Sequence, residues 1–281
     1  MSGATSSQDA PARGKPSGEL LKRLIAGIVM LGLALAAWWL GGWLFFGLVA
    51  LVALLAAVEW ARLTLPADAG TMRWLMLGLI LAVFALAALL GWDIAAGVLV
   101  ALGLAFMAVA AIRIDKTGLW TGLGLLYVGL PALSIAWMRT LPEPRGETVI
   151  LWFFLVIWAT DIAAYFGGRL FDGPKLAPQI SPGKTWSGAL VGTTAAGLTG
   201  YGVAIGFGLP SPLALVIVSL FVSALAQLSD LMESLLKRVF GRKDSGALIP
   251  GHGGVLDRID SYVLTAPALA FALALPGAGA I

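Results

Sequence analysis

The chain has 281 residues, of which 59% are hydrophobic and only 12% charged, with a net charge of +3 and a pI near 9.3. Soluble chains average about 25% charged residues, so a water-soluble fold of this length would lack the polar surface to cover itself. The absence of cysteine and the single histidine exclude disulfides, thiolate chemistry and a His-rich zinc site, and the small net charge gives no sign of a nucleic-acid partner.

Residues 1–18 are small, polar and Gly/Pro-bearing, and read as a disordered tail with no apolar signal region of its own. The two longest uncharged tracts are 24–58 and 185–229. A bilayer core takes about 20 apolar residues per helix, so each tract holds two spans. Gly41-Gly42 divides the first, and the glycine and prolines of 208–212 divide the second. Nine spans are predicted in all: 23–40, 43–60, 74–91, 94–112, 119–138, 148–167, 186–206, 212–230 and 260–277. Trp60, Trp74, Trp92, Trp120, Trp137, Trp152 and Trp186 sit near span ends, where amphipathic rings settle at the headgroup level.

The predicted fold class is therefore all-α, a polytopic transmembrane helical bundle with loop-borne chemistry. Its organisation is a tail (1–18), N-terminal transmembrane helices (19–147) and a C-terminal catalytic region (148–281). With the tail cytoplasmic, 16 of the 18 Lys and Arg fall in inside segments, and only Arg139 and Arg145 fall outside. That partition is the positive-inside pattern. It predicts an integral, multi-pass protein with cytoplasmic loops after spans six and eight, placed in a bacterial inner membrane.

Those two loops, roughly 168–185 and 231–259, are rich in charge, Gly and Pro and longer than a turn requires, which usually marks function. The first half of the chain offers no comparable loop. Seven of the fifteen acidic residues lie in residues 161–260, several at or inside apolar helices. Carboxylates in such places are expensive and functional by default. The plainer reading, a solvated loop whose charges only flank two spans, leaves that placement unexplained.

In the second loop, Asp230, Glu233, Ser234 and Lys237 share one helix face at i, i+3, i+4 and i+7. Asp257, Asp260 and Ser261 stand at the start of the last span. Between them, Gly251-His252-Gly253-Gly254 forms a backbone able to approach an anion through its N–H groups. Carboxylates at two helix ends with Lys, Arg and glycine amides between suit a nucleoside triphosphate bound with Mg²⁺. In the first loop, Asp161 lies within the end of span six, and Lys175 and Lys184 bracket a Pro-bearing turn. Gly183-Lys184-Thr185 is not a P-loop, because Pro178 occupies the place of its first glycine. Lys184 otherwise reads as a membrane-flanking anchor.

Residues 234–260, SLLKRVFGRKDSGALIPGHGGVLDRID, resemble throughout the signature of the CDP-diacylglycerol synthases, the phosphatidate cytidylyltransferases. The 159–188 segment is similar to that family's Asp…Ala-Tyr…Gly-Arg stretch followed by Lys-Leu-Ala-Pro and Ser-Pro-x-Lys-Thr. Two departures are Ser229, where the family commonly has Gly, and Ser187, where it commonly has Glu. The resemblance implies that CTP and phosphatidate yield CDP-diacylglycerol and pyrophosphate with Mg²⁺, the number of cations being open, and that a homodimer forms. It implies Asp230 and Asp257 as metal ligands with Ser234 and Asp260 adjacent. Lys243, Arg258, Lys184 and Arg238 are the implied phosphate contacts, and Lys175 and Gly253 join the substrate site. Asp161 is a further metal or site-organising carboxylate, and His252 is either a phosphate contact or a structural hydrogen bond. The alternatives are a CDP-archaeol synthase or CTP-dependent polyprenol kinase, or a transporter; against the last, no inverted repeat is evident.

Overall fold

The computed structural model describes residues 16–113, 116–249 and 253–276. Apolar runs broken by glycine or proline form helices in series: α1 (Pro16–Leu40), α2 (Gly42–Thr64), α3 (Gly70–Leu90), α4 (Trp92–Arg113), α5 (Lys116–Gly124) and α6 (Leu130–Arg139). Then follow α7 (Arg145–Leu170), the strands β1 (Lys175–Ala177) and β2 (Ser181–Thr185), α8 (Trp186–Gly206), α9 (Pro212–Val239), the short α10 (Leu256–Ile259) and α11 (Tyr262–Ala274). Among the described residues, seven helical segments are long and apolar enough to cross a bilayer, and two shorter apolar helices, Gly27–Leu40 within α1 and α11, complete the nine predicted positions. The chain is a multi-pass, all-α membrane protein.

One span is α5 and α6 joined by a π-helical turn over Leu125–Gly129. Pro131 explains it locally. A proline inside a helix removes an N–H and its ring crowds the carbonyl four residues back, here that of Tyr127, so the turn widens. Two helices also run further than their apolar stretches: α7 reaches Leu170 and α9 reaches Val239. Beyond the apolar core α9 is sustained by i,i+4 pairing of Glu233 with Lys237 at 3.1 Å.

Helices α7, α8 and α9 pack closely through small residues. A Cβ on Gly192 would lie 2.7 Å from the Thr160 carbonyl oxygen, and one on Gly200 only 2.1 Å from Ser219 Oγ, so only glycine permits that approach. Serine hydroxyls of α9 join it to α7: Thr160 Oγ1 donates to Ser223 Oγ at 3.0 Å, and Trp152 Nε1 to Ser219 Oγ at 2.9 Å. The segment expected to be plain loop after α7 is instead an antiparallel hairpin, with Lys175 opposite Thr185 and Ala177 opposite Ser181. Thr185 ends the hairpin and caps α8, its Oγ1 accepting the Gly188 N–H at 3.1 Å. Gly183-Lys184-Thr185 is thus strand rather than phosphate loop.

At the end of the bundle away from the hairpin, Arg139 is buried and ion-paired to Glu143 and to Glu147, the latter at 3.1 Å. Trp38 Nε1 donates to the Glu147 carbonyl at 2.9 Å, tying α1 to α7. One of the two basic residues set apart by the sequence is therefore occupied in holding that end together.

Candidate active site

Asp161 and Asp230 each stand nine residues before the last residue of their helix (170 − 161 and 239 − 230). At 1.5 Å per residue that recesses both carboxylates by about 14 Å from the hairpin end of the bundle. Asp260, in the turn between α10 and α11, completes the group, and all three feel one another's negative charge. Lys184 reaches in from β2, its Nζ 2.5 Å from Asp230 Oδ2. Ser234 donates to Asp230 Oδ1 at 3.4 Å, as the shared helix face requires. Asp161 is open on its helix surface and also senses Lys184, Arg258 and the Ser261 hydroxyl. Asp260 Oδ1 accepts the Ser261 N–H at 2.8 Å.

Asp257 has a different setting. It accepts from Lys237 Nζ at 2.7 Å, from the Gly254 N–H at 2.9 Å and from the Ser245 N–H at 3.1 and 3.2 Å. Burial would raise this carboxyl, but the Lys237 hydrogen bond, the Gly254 N–H, the Lys237 charge and the Ser245 N–H outweigh it and hold the group below the ordinary carboxylate range. Lys237 also pairs with the buried Glu233, so an alternating line of charge runs from α9 to α10. Gly253 has φ +83, and its carbonyl accepts the Ile249 N–H at 3.0 Å, closing the turn with a conformation that L side chains rarely adopt.

The other implied phosphate contacts are less closely tied to this core. Lys243 and Arg258 are exposed, in the turn after α9 and on α10. Lys175 is exposed on β1. Arg238 Nε donates to the Ile180 carbonyl at 3.3 Å and ties the hairpin to α9. His252 lies outside the described residues. The departures from the family pattern have structural uses: buried Ser229 donates to the Asp260 carbonyl and accepts the Leu264 N–H at 3.2 Å, sewing α9 to α11. Ser187 closes the hairpin against the Asp172 carbonyl and lies 3.0 Å from Thr185 Oγ1.

Two residues of the first half enter the site without having been expected. Glu59 of α2 is 1% exposed and accepts the Leu256 N–H at 2.9 Å and the Ser245 hydroxyl at 3.3 Å. Tyr127, on the π-helical turn, packs its ring on Trp60 with centroids 4.6 Å apart. Its hydroxyl is buried without a hydrogen-bond partner among the described residues and lies within reach of the charges of Glu233, Asp260, Asp230 and Asp257. Beside the cluster an apolar cavity of about 210 Å³ runs between α1, α2, α6, α7 and α11, with Trp158, Ile259 and Tyr262 on its wall near Asp161 and Asp260.

A model described as the cytidylyltransferase family matches residues 21–275. The chain belongs to the cytidylyltransferase family. Proteins named phosphatidate cytidylyltransferase from Brucella suis biovar 1 (strain 1330) and Brucella melitensis biotype 1 are 41% identical over 255 residues, which covers 89% of this chain and 92% of theirs. One from Rickettsia typhi is 41% identical over 152 residues, 52% of this chain and 66% of its own. The family match runs through α2 and the π-helical turn as well as the loops, so Glu59 and Tyr127 fall within it.

The site chemistry suits this family's need to bring two anions together. The hard carboxylate oxygens of Asp230 and Asp257 match Mg²⁺ in donor type, although no three acidic or histidine side chains among the described residues gather into a metal-holding group.

Proposed function

We propose that this membrane enzyme converts CTP and phosphatidate to CDP-diacylglycerol and pyrophosphate in phospholipid synthesis. The observation that carries the reading is the recessed carboxylate–lysine cluster on α7, α9 and the α10–α11 turn, in a chain whose relatives at 41% identity are named phosphatidate cytidylyltransferase. Its depth suits a phosphate presented by a lipid, and the apolar cavity at its flank suits an acyl chain.

In the reaction a phosphatidate oxygen attacks the α-phosphorus of CTP, the bond to the β-phosphate oxygen breaks, and pyrophosphate leaves. Positioning and charge stabilisation supply most of the catalysis in such transfers. Mg²⁺, when bound, would neutralise the converging phosphates, held by Asp230 and Asp257 with Asp260 adjacent. Lys184 would pass from Asp230 to a phosphate oxygen, since its ammonium already pairs with an anionic oxygen at 2.5 Å and would meet a phosphate in the same way. Lys243 and Arg258, exposed at the rim, would receive the leaving pyrophosphate. We place the hairpin end in the cytoplasm of a bacterial inner membrane, on the 16-to-2 partition of basic residues.

The test is an assay of the purified protein with phosphatidate and CTP, dCTP, ATP or UTP in Mg²⁺. Nucleoside monophosphate should enter lipid, with pyrophosphate released in equal amount. Transfer of a single phosphate to lipid, with CDP as product, would replace this reading with lipid-kinase chemistry.

A further inference from the structure

We propose that Glu59 is the positioning residue of the 245–257 loop, a carboxylate lent to the site by the N-terminal half of the chain. The inference rests on the cytidylyltransferase reading of that loop. Glu59 Oε2 accepts the Leu256 N–H at 2.9 Å and the Ser245 hydroxyl at 3.3 Å. Asp257 meanwhile takes the N–H groups of the same Ser245 and of Gly254. Two carboxylates therefore grip both ends of the loop, Glu59 from the α2 side and Asp257 from the Lys237 side, and Ser245 is held by both.

The backbone is shaped around Glu59. A Cβ on Gly246 would fall 2.4 Å from Glu59 Oε1, and one on Gly254 would fall 2.5 Å from Glu59 Oε2 and 2.1 Å from Ser245 Oγ. Both glycines are thus required by the seat of one side chain 186 positions or more away. A 1%-exposed carboxylate in a helix that crosses the membrane is expensive to keep, and core packing alone would be served by an apolar residue. The carboxylate does what an apolar residue cannot: it fixes the first N–H of α10 and with it the direction of Asp257 and Arg258. Glu59 touches no reacting atom in this arrangement. It acts through the loop, and its loss should be read in nucleotide handling rather than in lipid handling.

The experiment uses the full chain, purified as wild type, Glu59→Ala, Glu59→Gln and Ser245→Ala. It reads kcat and KM for CTP and for phosphatidate, together with hydrogen exchange across 245–257. Loss of a hydrogen-bonded charged group should lower kcat/KM for CTP in Glu59→Ala by roughly 10- to 100-fold, with KM for phosphatidate within about 2-fold. Glu59→Gln keeps an oxygen for the Leu256 N–H and should recover most of that loss. Exchange at 245–257 should rise in Glu59→Ala while the rest of α2 stays protected. Ser245→Ala combined with Glu59→Gln should lose less than the sum of the two single changes, because they share one bond. Wild-type kinetics and exchange in Glu59→Ala would overturn the proposal, as would equal damage to both substrates with exchange rising throughout α2. If Glu59→Ala does not fold, strict additivity of the Ser245→Ala and Glu59→Gln losses overturns it. A wild type silent toward CTP indicts the reaction instead, and the exchange comparison still decides the loop clasp.

Discussion

Replacing Lys184 by Gln tests the centre of the site. Its Nζ lies 2.5 Å from Asp230 Oδ2, with the two side chains 26% and 28% exposed, so the pair is more sheltered than a surface ion pair. Removing the charge leaves Asp230 facing Asp161 and Asp260 without a screen. It also removes the ammonium that would meet phosphate. A hydrogen bond to a charged group contributes about 1.5–3 kcal/mol, and at 1.36 kcal/mol per decade kcat/KM for CTP should fall roughly 10- to 150-fold. Lys184→Arg keeps the charge and should retain more activity than Lys184→Gln. The assay is incorporation of cytidine monophosphate into lipid at varied CTP, with gel filtration in detergent to show that folding is intact. A kcat/KM for Lys184→Gln within about 2-fold of wild type, where this argument requires at least about 10-fold, would return the residue to the role of a membrane-flanking anchor.

Asp230→Asn and Asp257→Asn should each abolish Mg²⁺-dependent turnover, and the double change should be barely worse than either one, as expected of residues acting as a unit. They should differ in stability: Asp257→Asn loosens contacts to Lys237, Ser245 and Gly254 and should reduce stability by about 1–3 kcal/mol in detergent melts, whereas Asp230→Asn should melt near wild type. Ser229→Gly installs the residue common in the family and removes a hydroxyl that bridges α9 and α11, so it should lower stability by about 1 kcal/mol while turnover stays within a few-fold. Single cysteines at Asp244 and Pro142, both exposed in a chain with no native cysteine, should label from the cytoplasmic and the opposite side respectively; labelling of position 244 from outside the cell would invert the orientation.

The elements legible in the sequence were those with local signatures. Charge-free tracts marked the spans, and the i, i+3, i+4 spacing placed Asp230, Glu233, Ser234 and Lys237 on one face, where the structure joins Asp230 to Ser234 and Glu233 to Lys237. The hairpin was not legible. Its strands are three and five residues long, one carries Pro182 and Gly183, and neither alternates polar with apolar residues.

Glu59 and Tyr127 were missed for a different reason, since each meets the site across more than a hundred residues and no spacing rule spans that distance. A signal for Glu59 was nonetheless present: it is the first charge after the uncharged tract 24–58, and α2 continues five residues beyond it, to Thr64. A carboxylate there lies inside a crossing helix rather than in a loop, and intramembrane carboxylates need a partner. Its partners turned out to be backbone N–H and hydroxyl groups of a loop near the other end of the chain. The N-terminal helices therefore do more than fill the membrane beside the loops. Through α2 they hold the 245–257 turn, and through the π-helical turn they aim a buried hydroxyl at the carboxylates. On the reading proposed above, chemistry carried by the C-terminal half would depend on side chains that the first half supplies.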